Sequence, residues 1–76
     1  MRKFRKFVIR ANFNLLERCV MANSEREAVE KVLAHNDIAY DSIRELTNGE
    51  FVNGQRVVHA FLAGSEGKNT KHFAVA

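Results

Sequence analysis

The sequence predicts an α+β fold, in which a single helix packs on one face of an antiparallel sheet of four to five strands. Two strand-like segments precede one capped amphipathic helix, and two or three strand-like segments separated by Asn-Gly turn signals follow it. The expected order is therefore β-β-α-β-β-β, and one layer of helix on one layer of sheet is the economical way to bury the apolar faces. With 76 residues, 1–76 form a single domain.

The first strand is predicted over residues 2–11, where apolar and basic side chains alternate. Side chains at alternate positions point to opposite faces, and the odd positions become apolar from Phe7 onward. We therefore expect Phe7, Ile9 and Ala11 to face the core. The outer face would then carry Phe4, Lys6, Val8 and Arg10.

The second strand is predicted over residues 15–22, after a turn at Asn12-Phe13-Asn14. We expect Val20 and Ala22 to face the helix. Three further apolar residues would lie on the other face, namely Leu15, Cys19 and Met21. A strand that is apolar on both sides is either central in its sheet or covered on its outer face.

The helix is predicted over residues 25–35. Ser24 is the expected N-cap, and Glu27 is expected to accept a hydrogen bond from the amide of Ser24, which together form a capping box. The apolar stripe consists of Ala28, Val29, Val32 and Leu33. Asn36 is expected to end the helix in the left-handed conformation.

The second half of the chain contains two or three more strands. In the segment 38–46, Ile43 is out of phase with Ile38 and Tyr40, which indicates a bulge or an early strand end. Turns are expected at Asn48-Gly49 and Asn53-Gly54, with a short hairpin arm at Phe51-Val52 between them. Further strands are predicted over residues 55–63 and 71–75.

Charge is distributed unevenly along the chain. The formal net charge is +3, but residues 1–22 carry +5 and residues 23–76 carry −2. A basic first strand attracts an acidic partner, either protein or nucleic acid, without selecting between them.

Cysteine content and hydropathy bear on the compartment. Cys19 is the only cysteine, so neither an intrachain disulfide nor a cysteine zinc site can form, and a reducing cytoplasm is expected. The sequence shows no signal peptide and no stretch long enough to span a membrane.

No residue pattern points to catalysis, to a metal or to a cofactor. Cys19 lies among apolar residues in a strand, so we expect a buried or semi-buried packing role rather than a nucleophile. The spacing of His35, His59 and His72 matches no ligand motif, although His59 and His72 would face each other if the last two strands pair. We therefore expect a protein that is not an enzyme.

Two features have functional content. In the first strand, basic side chains are interleaved with Phe4 and Phe7, namely Arg2, Lys3, Arg5, Lys6 and Arg10. Several sheet modules hold single-stranded nucleic acid with such an arrangement, although basic residues also protect sheet edges. The second feature is an apolar patch on the outer face, which in a small protein indicates contact with another chain. It would consist of Phe4, Val8, Leu15, Cys19 and Met21.

The segment from Val20 to Ala28 reads V-x-A-x-S-x-x-E-A and resembles a strand-to-helix joint common in small accessory proteins of phages and mobile elements. The residues from Phe7 to Ala11 fit the first strand of that pattern, and the resemblance covers about the first half of the chain. It implies a phage-encoded protein that binds a host protein in the host cytoplasm, including as an inhibitor of host defence such as an anti-CRISPR protein. The motif itself transfers no functional residue.

The leading hypothesis is thus a non-enzymatic binding protein that occludes a surface of a larger host protein or protein–nucleic acid complex. The alternative is a nucleic-acid-binding module that uses the first strand, and a homodimer is compatible with either. The expected partner-binding residues are Arg2, Phe4, Lys6, Arg10, Leu15, Cys19 and Met21.

Overall fold

The described residues form five antiparallel strands and one helix, which confirms the predicted α+β fold. The computed structural model describes residues 4–47, 50, 53–65 and 69–76. The strands lie side by side in the order β2-β1-β4-β5-β3. The elements are β1 (Arg5–Ala11), β2 (Glu17–Ala22), α1 (Glu25–His35), β3 (Ile43–Glu45), β4 (Arg56–Leu62) and β5 (Lys71–Val75).

The core lies between α1 and one face of the sheet. Phe7 of β1 is opposite Val20 of β2 and Leu62 of β4, and Phe73 of β5 is opposite Val58 of β4. Full burial of one such side chain contributes about 1.5–3 kcal/mol. The helix adds the four residues of the predicted stripe, which are all buried: Ala28, Val29, Val32 and Leu33.

The β1–β2 hairpin turns later than expected. The N–H of Leu16 donates to the C=O of Phe13 at 3.3 Å. Asn14 and Leu15 both have positive φ, of 56° and 46°, as the central residues of type I′ turns do. The prediction that residue 15 begins the second strand was therefore wrong, because Leu15 belongs to the turn and its side chain is fully exposed.

The helix N-terminus confirms one half of the capping box and corrects the other. The Oγ of Ser24 accepts from the N–H of Glu27 at 3.2 Å, as expected. The Oε1 of Glu27, however, accepts from the N–H of Asn23 at 3.3 Å and not from that of Ser24. The carboxylate thus ties the incoming loop to the first turn.

The helix ends in a Schellman motif around Asn36. The N–H of Ile38 donates to the C=O of Leu33 at 3.0 Å, and that of Asp37 donates to the C=O of Ala34 at 3.2 Å. The left-handed residue is Asp37, with φ 54°, whereas Asn36 has φ −105°. Asn36 ends the helix as predicted, but the left-handed conformation falls one residue later.

The third strand is shorter than predicted and begins where an early end was expected. Residues 38–42 are not in a strand, and the phase break at Ile43 marks the start of β3, so the predicted bulge or early end was wrong. Ile43 is buried and is opposite Val75, so β3 begins where an apolar side chain can reach the core. The turn at Asn53-Gly54 is confirmed, since Gly54 has φ 76°. The turn at Asn48-Gly49 and the arm at Phe51-Val52 lie outside the described residues.

Two helix cations reach opposite edges of the sheet. Lys31 Nζ donates to the C=O of Met21 in β2 at 3.0 Å, and a guanidinium nitrogen of Arg26 donates to the C=O of Ile43 in β3 at 2.9 Å. Outward carbonyls of edge strands invite pairing with another strand. These two side chains therefore satisfy part of each edge.

Candidate functional site: the outer sheet face

The side chains that point away from α1 form what we call the outer sheet face. Strand alternation and register place them there, because α1 packs on the opposite face. They are Lys6, Val8 and Arg10 of β1, Glu17, Cys19 and Met21 of β2, Arg44 of β3, Val57, His59 and Phe61 of β4, and His72 and Ala74 of β5.

An apolar strip crosses this face from β2 to β4. Cys19 is opposite Val8, and Val8 is opposite Phe61. Phe61 is only 5 % exposed, whereas Met21 at the β2 end is 51 % exposed. Cys19 is exposed as well, so the expectation that it is buried or semi-buried was wrong. It lies on an edge strand, and no described element covers its face.

A polar row lies beside the strip and runs across four strands. Arg10 Nε donates to Glu17 Oε2, and the Arg10 guanidinium carbon lies 5.5 Å from the centroid of the Phe61 ring. His59 is opposite Arg10, and its ring centroid lies 4.3 Å from that of His72. The expected facing of the two histidines is thus confirmed.

The pKa of His59 lies below its ordinary value of 6.5. Burial of the imidazole is the main cause, because it disfavours the charged form. The positive charges of His72 and Arg10 lower the pKa further.

Charge on the outer sheet face is largely compensated. Glu17 pairs with Arg10, and Glu50 pairs with Arg44, whose guanidinium lies 2.8 Å from Glu50 Oε2. Lys6, beside Met21, adds a positive charge at the end of the apolar strip. Such a face suits a partly apolar protein surface better than a polyanion, which requires uncompensated cations.

The structure brings together four of the residues predicted to bind a partner, namely Lys6, Arg10, Cys19 and Met21, all on the outer sheet face. Phe4 does not join them, because its ring lies 4.8 Å from Lys31 Nζ of the helix, at the rim of the sheet. Leu15 lies in the β1–β2 turn. Arg2 falls outside the described residues.

Phe61 and His59 are part of this face and were not among the predicted site residues. The alternation of Val57, His59 and Phe61 indicated a shared face. The missing information was that β4 lies beside β1, which is a pairing between segments far apart in sequence.

The carboxylates have structural roles. The Glu27 carboxylate accepts from Asn23 and lies 3.4 Å from Lys31, and the hydrogen bond from the Asn23 amide is the main reason that the pKa of Glu27 lies below its ordinary value. Glu25 lies 3.9 Å from Lys71. Within the described ranges, no three His, Cys, Asp or Glu side chains converge as metal ligands would. In the same ranges, no helix has the length and hydropathy needed to cross a bilayer.

Comparison with protein-family models, with curated proteins and with solved structures finds no match to this chain.

Proposed function

We propose that this chain is a non-enzymatic binding protein that acts by occluding a surface of a larger protein with its outer sheet face. The observation that carries the proposal is the exposure of Met21 and Cys19, at the β2 end of the apolar strip that continues through Val8 to the buried Phe61. Apolar surface at the centre of a polar rim is the usual composition of a protein-binding surface. Here the rim consists of Lys6 and the Arg10–Glu17 pair.

The partner that fits this face has an apolar centre of its own and an acidic group near Lys6. Met21 suits such a contact, because its flexible side chain adapts to the opposing surface. A phage origin, a host protein as the partner, a role against host defence and a cytoplasmic location rest on the resemblance of the joint from Val20 to Ala28 alone. These four statements are more specific than the proposed binding by the outer sheet face.

The test is capture of a partner by the immobilised chain from host lysate, with and without nuclease, followed by a comparison of variants. Met21→Asp with Lys6→Glu introduces acidic groups at the centre and rim of the face. The matched control is Ala34→Asp, at an exposed position of the helix. We expect a nuclease-resistant partner that the double variant loses and the control retains. Equal capture by both variants, or turnover of a small molecule by the purified chain, would contradict the proposal.

Binding of nucleic acid is the second candidate, favoured by the excess of positive charge in residues 1–22. Stacking receives less support, because Phe61 is only 5 % exposed and Phe4 lies at the rim against Lys31. This candidate requires that Lys6→Glu with Arg10→Glu abolish binding and that affinity fall steeply with salt. Absence of binding to single-stranded DNA and RNA at low salt removes it.

A homodimer through the same face is compatible with either candidate. Sedimentation at two protein concentrations measures it directly. A constant mass of one chain at both concentrations excludes the homodimer.

A further inference from the structure

β2 lies at one edge of the sheet, and no described strand pairs with its outer side. The C=O of Leu16 accepts from the N–H of Ala11 at 3.0 Å, so the backbone groups of even-numbered residues in β2 face β1. Hydrogen bonding alternates along an antiparallel strand. The backbone N–H and C=O groups of odd-numbered residues therefore face away from the sheet. The C=O of Met21 faces away from the sheet in this way and accepts a hydrogen bond from Lys31. The backbone of Cys19 faces the same way.

A groove runs between this edge and the C-terminal half of α1. We call it the β2–helix groove, and its volume is about 200 Å³. Its lining contains no acidic side chain, and Arg18 and His35 contribute its basic groups. The complete lining is Arg18, Cys19, Val20, Val32, His35 and Asn36. The chemistry of the groove is thus apolar at the two valines and basic beside them.

Cations occupy the edge on both sides of Cys19. A guanidinium nitrogen of Arg18 donates to the C=O of Glu17 at 2.8 Å, and Lys31 donates to the C=O of Met21 at 3.0 Å. Such cations disfavour pairing with a neutral or basic strand, because pairing would remove the carbonyl partners of the cations without replacing them. Lys31 already pairs with Glu27 at 3.4 Å, and a carboxylate of an acidic strand compensates Arg18. The edge therefore selects for acidic segments.

We propose that the β2 edge and the β2–helix groove bind an extended acidic segment of another protein by addition of a strand. Main-chain hydrogen bonds to Cys19 supply affinity, and the groove supplies selectivity. Arg18 and Val20 point to the same side of β2. An added antiparallel strand that continues the sheet places an apolar residue opposite Val20 and, two residues later, an acidic residue opposite Arg18. The recognised pattern is thus apolar–x–acidic.

This site is separate from the outer sheet face and does not depend on its function. The two share Cys19, which lines the groove and whose side chain points to the outer sheet face. Lys6→Glu changes the outer sheet face alone, and Arg18→Glu changes the groove alone. The two proposals can therefore fail independently.

The experiment is a titration of the ¹⁵N-labelled full chain with the acetylated and amidated peptide Thr-Val-Thr-Glu-Thr, followed by NMR. We expect a dissociation constant below about 1 mM. We also expect slowed hydrogen exchange at the Cys19 and Met21 amides, which an added strand covers. The peptide Thr-Val-Thr-Lys-Thr should bind at least about fivefold more weakly, since its charge is reversed.

Variants separate specific from nonspecific binding. Arg18→Glu should invert the preference between the two peptides, and Lys6→Glu should leave it unchanged. Cys19→Pro removes an outward N–H at an edge position, where proline is tolerated, and should weaken binding of both peptides. Three results would overturn the proposal: no binding at about 1 mM peptide, exchange protection away from β2, or a mass that rises with protein concentration and falls when peptide is added. The last result would assign the edge to a second copy of the chain.

Discussion

The carboxylate of Glu27 accepts a hydrogen bond from the backbone N–H of Asn23 at 3.3 Å, one residue before the N-cap Ser24. The amide of the Asn23 side chain also donates to this carboxylate, at 3.4 Å. The strand-to-helix joint is thus held from both sides, by Glu27 on the incoming loop and by Ser24 on the first turn. Both contacts stabilise the fold, and neither requires a partner.

Ser24→Ala should destabilise the protein by about 1 kcal/mol, because it leaves the N–H of Glu27 without its acceptor. For a domain of this size, that loss lowers Tm by about 4–8 °C. Thermal unfolding followed by circular dichroism measures the change. Ser24→Asp is the control and should retain most of the stability, since aspartate accepts the same bond. Equal losses for both variants would contradict a capping role.

Leu15→Gly should stabilise the protein by about 1 kcal/mol, because a leucine with φ 46° is strained and glycine is not. The leucine side chain is fully exposed, so its removal creates no cavity. Urea denaturation measures the gain. Leu16→Gly is the control, at the next position, where the side chain is buried and the substitution should destabilise. If residue 15 contacts the partner, the more stable Leu15→Gly protein will also bind more weakly.

Stability should fall as the pH falls from 7.5 to 5.5, in part through His59. The pKa of His59 in the folded protein lies below its ordinary value of 6.5. As the pH falls through 6.5, the unfolded state takes up the proton first, so its free energy falls relative to that of the folded state. The loss is complete once the pH passes below the folded pKa. His59→Gln should show a smaller decrease in Tm across this range, and an unchanged decrease would assign the effect to another group.

Phe73→Ala should cost about 3–5 kcal/mol, because Phe73 is fully buried in β5, opposite Val58 of β4. A core of this size contributes a net stability of about the same amount, so the variant should be largely unfolded at 25 °C. Met21→Ala is the contrast, on the outer sheet face, and should change stability by no more than about 0.5 kcal/mol. Chemical denaturation of both variants measures the free energy of unfolding and tests whether Met21 contributes to stability.

Local patterns were sufficient to predict the helix and most of the strands, but not the extent of β3. The alternation of Phe7, Ile9 and Ala11, the stripe of α1 and the cap at Ser24 each depend on residues close in sequence. The strand order was not predictable from them, because the proximity of β4 to β1 depends on how distant segments share one core. The positive φ of Leu15 was missed for a related reason. Leucine is a poor turn residue, and only the pairing of both strands forces it into that conformation.

The outer sheet face was predictable where it depended on the alternation of side chains along a single strand. Lys6, Arg10, Cys19 and Met21 share the outer sheet face, as their spacing indicated. The position of Phe4 was wrong, because Lys31 of the helix draws its ring to the rim. The ion pair between Arg10 and Glu17 could not be predicted without the register of the hairpin. This pair makes nucleic-acid binding by the first strand less favourable, because it compensates the charge of Arg10.

The position of β5 has a kinetic consequence. Among the described elements, β3 pairs only with β5, which follows it in sequence but lies between it and β4. Ile43 can therefore enter the sheet only after Val75 is in place. The order of synthesis and the order of assembly differ, since the β1–β2 hairpin and α1 can associate early while β3 waits for the last strand. In refolding experiments with pulsed hydrogen exchange, the amides of β3 should be the last in the sheet to gain protection.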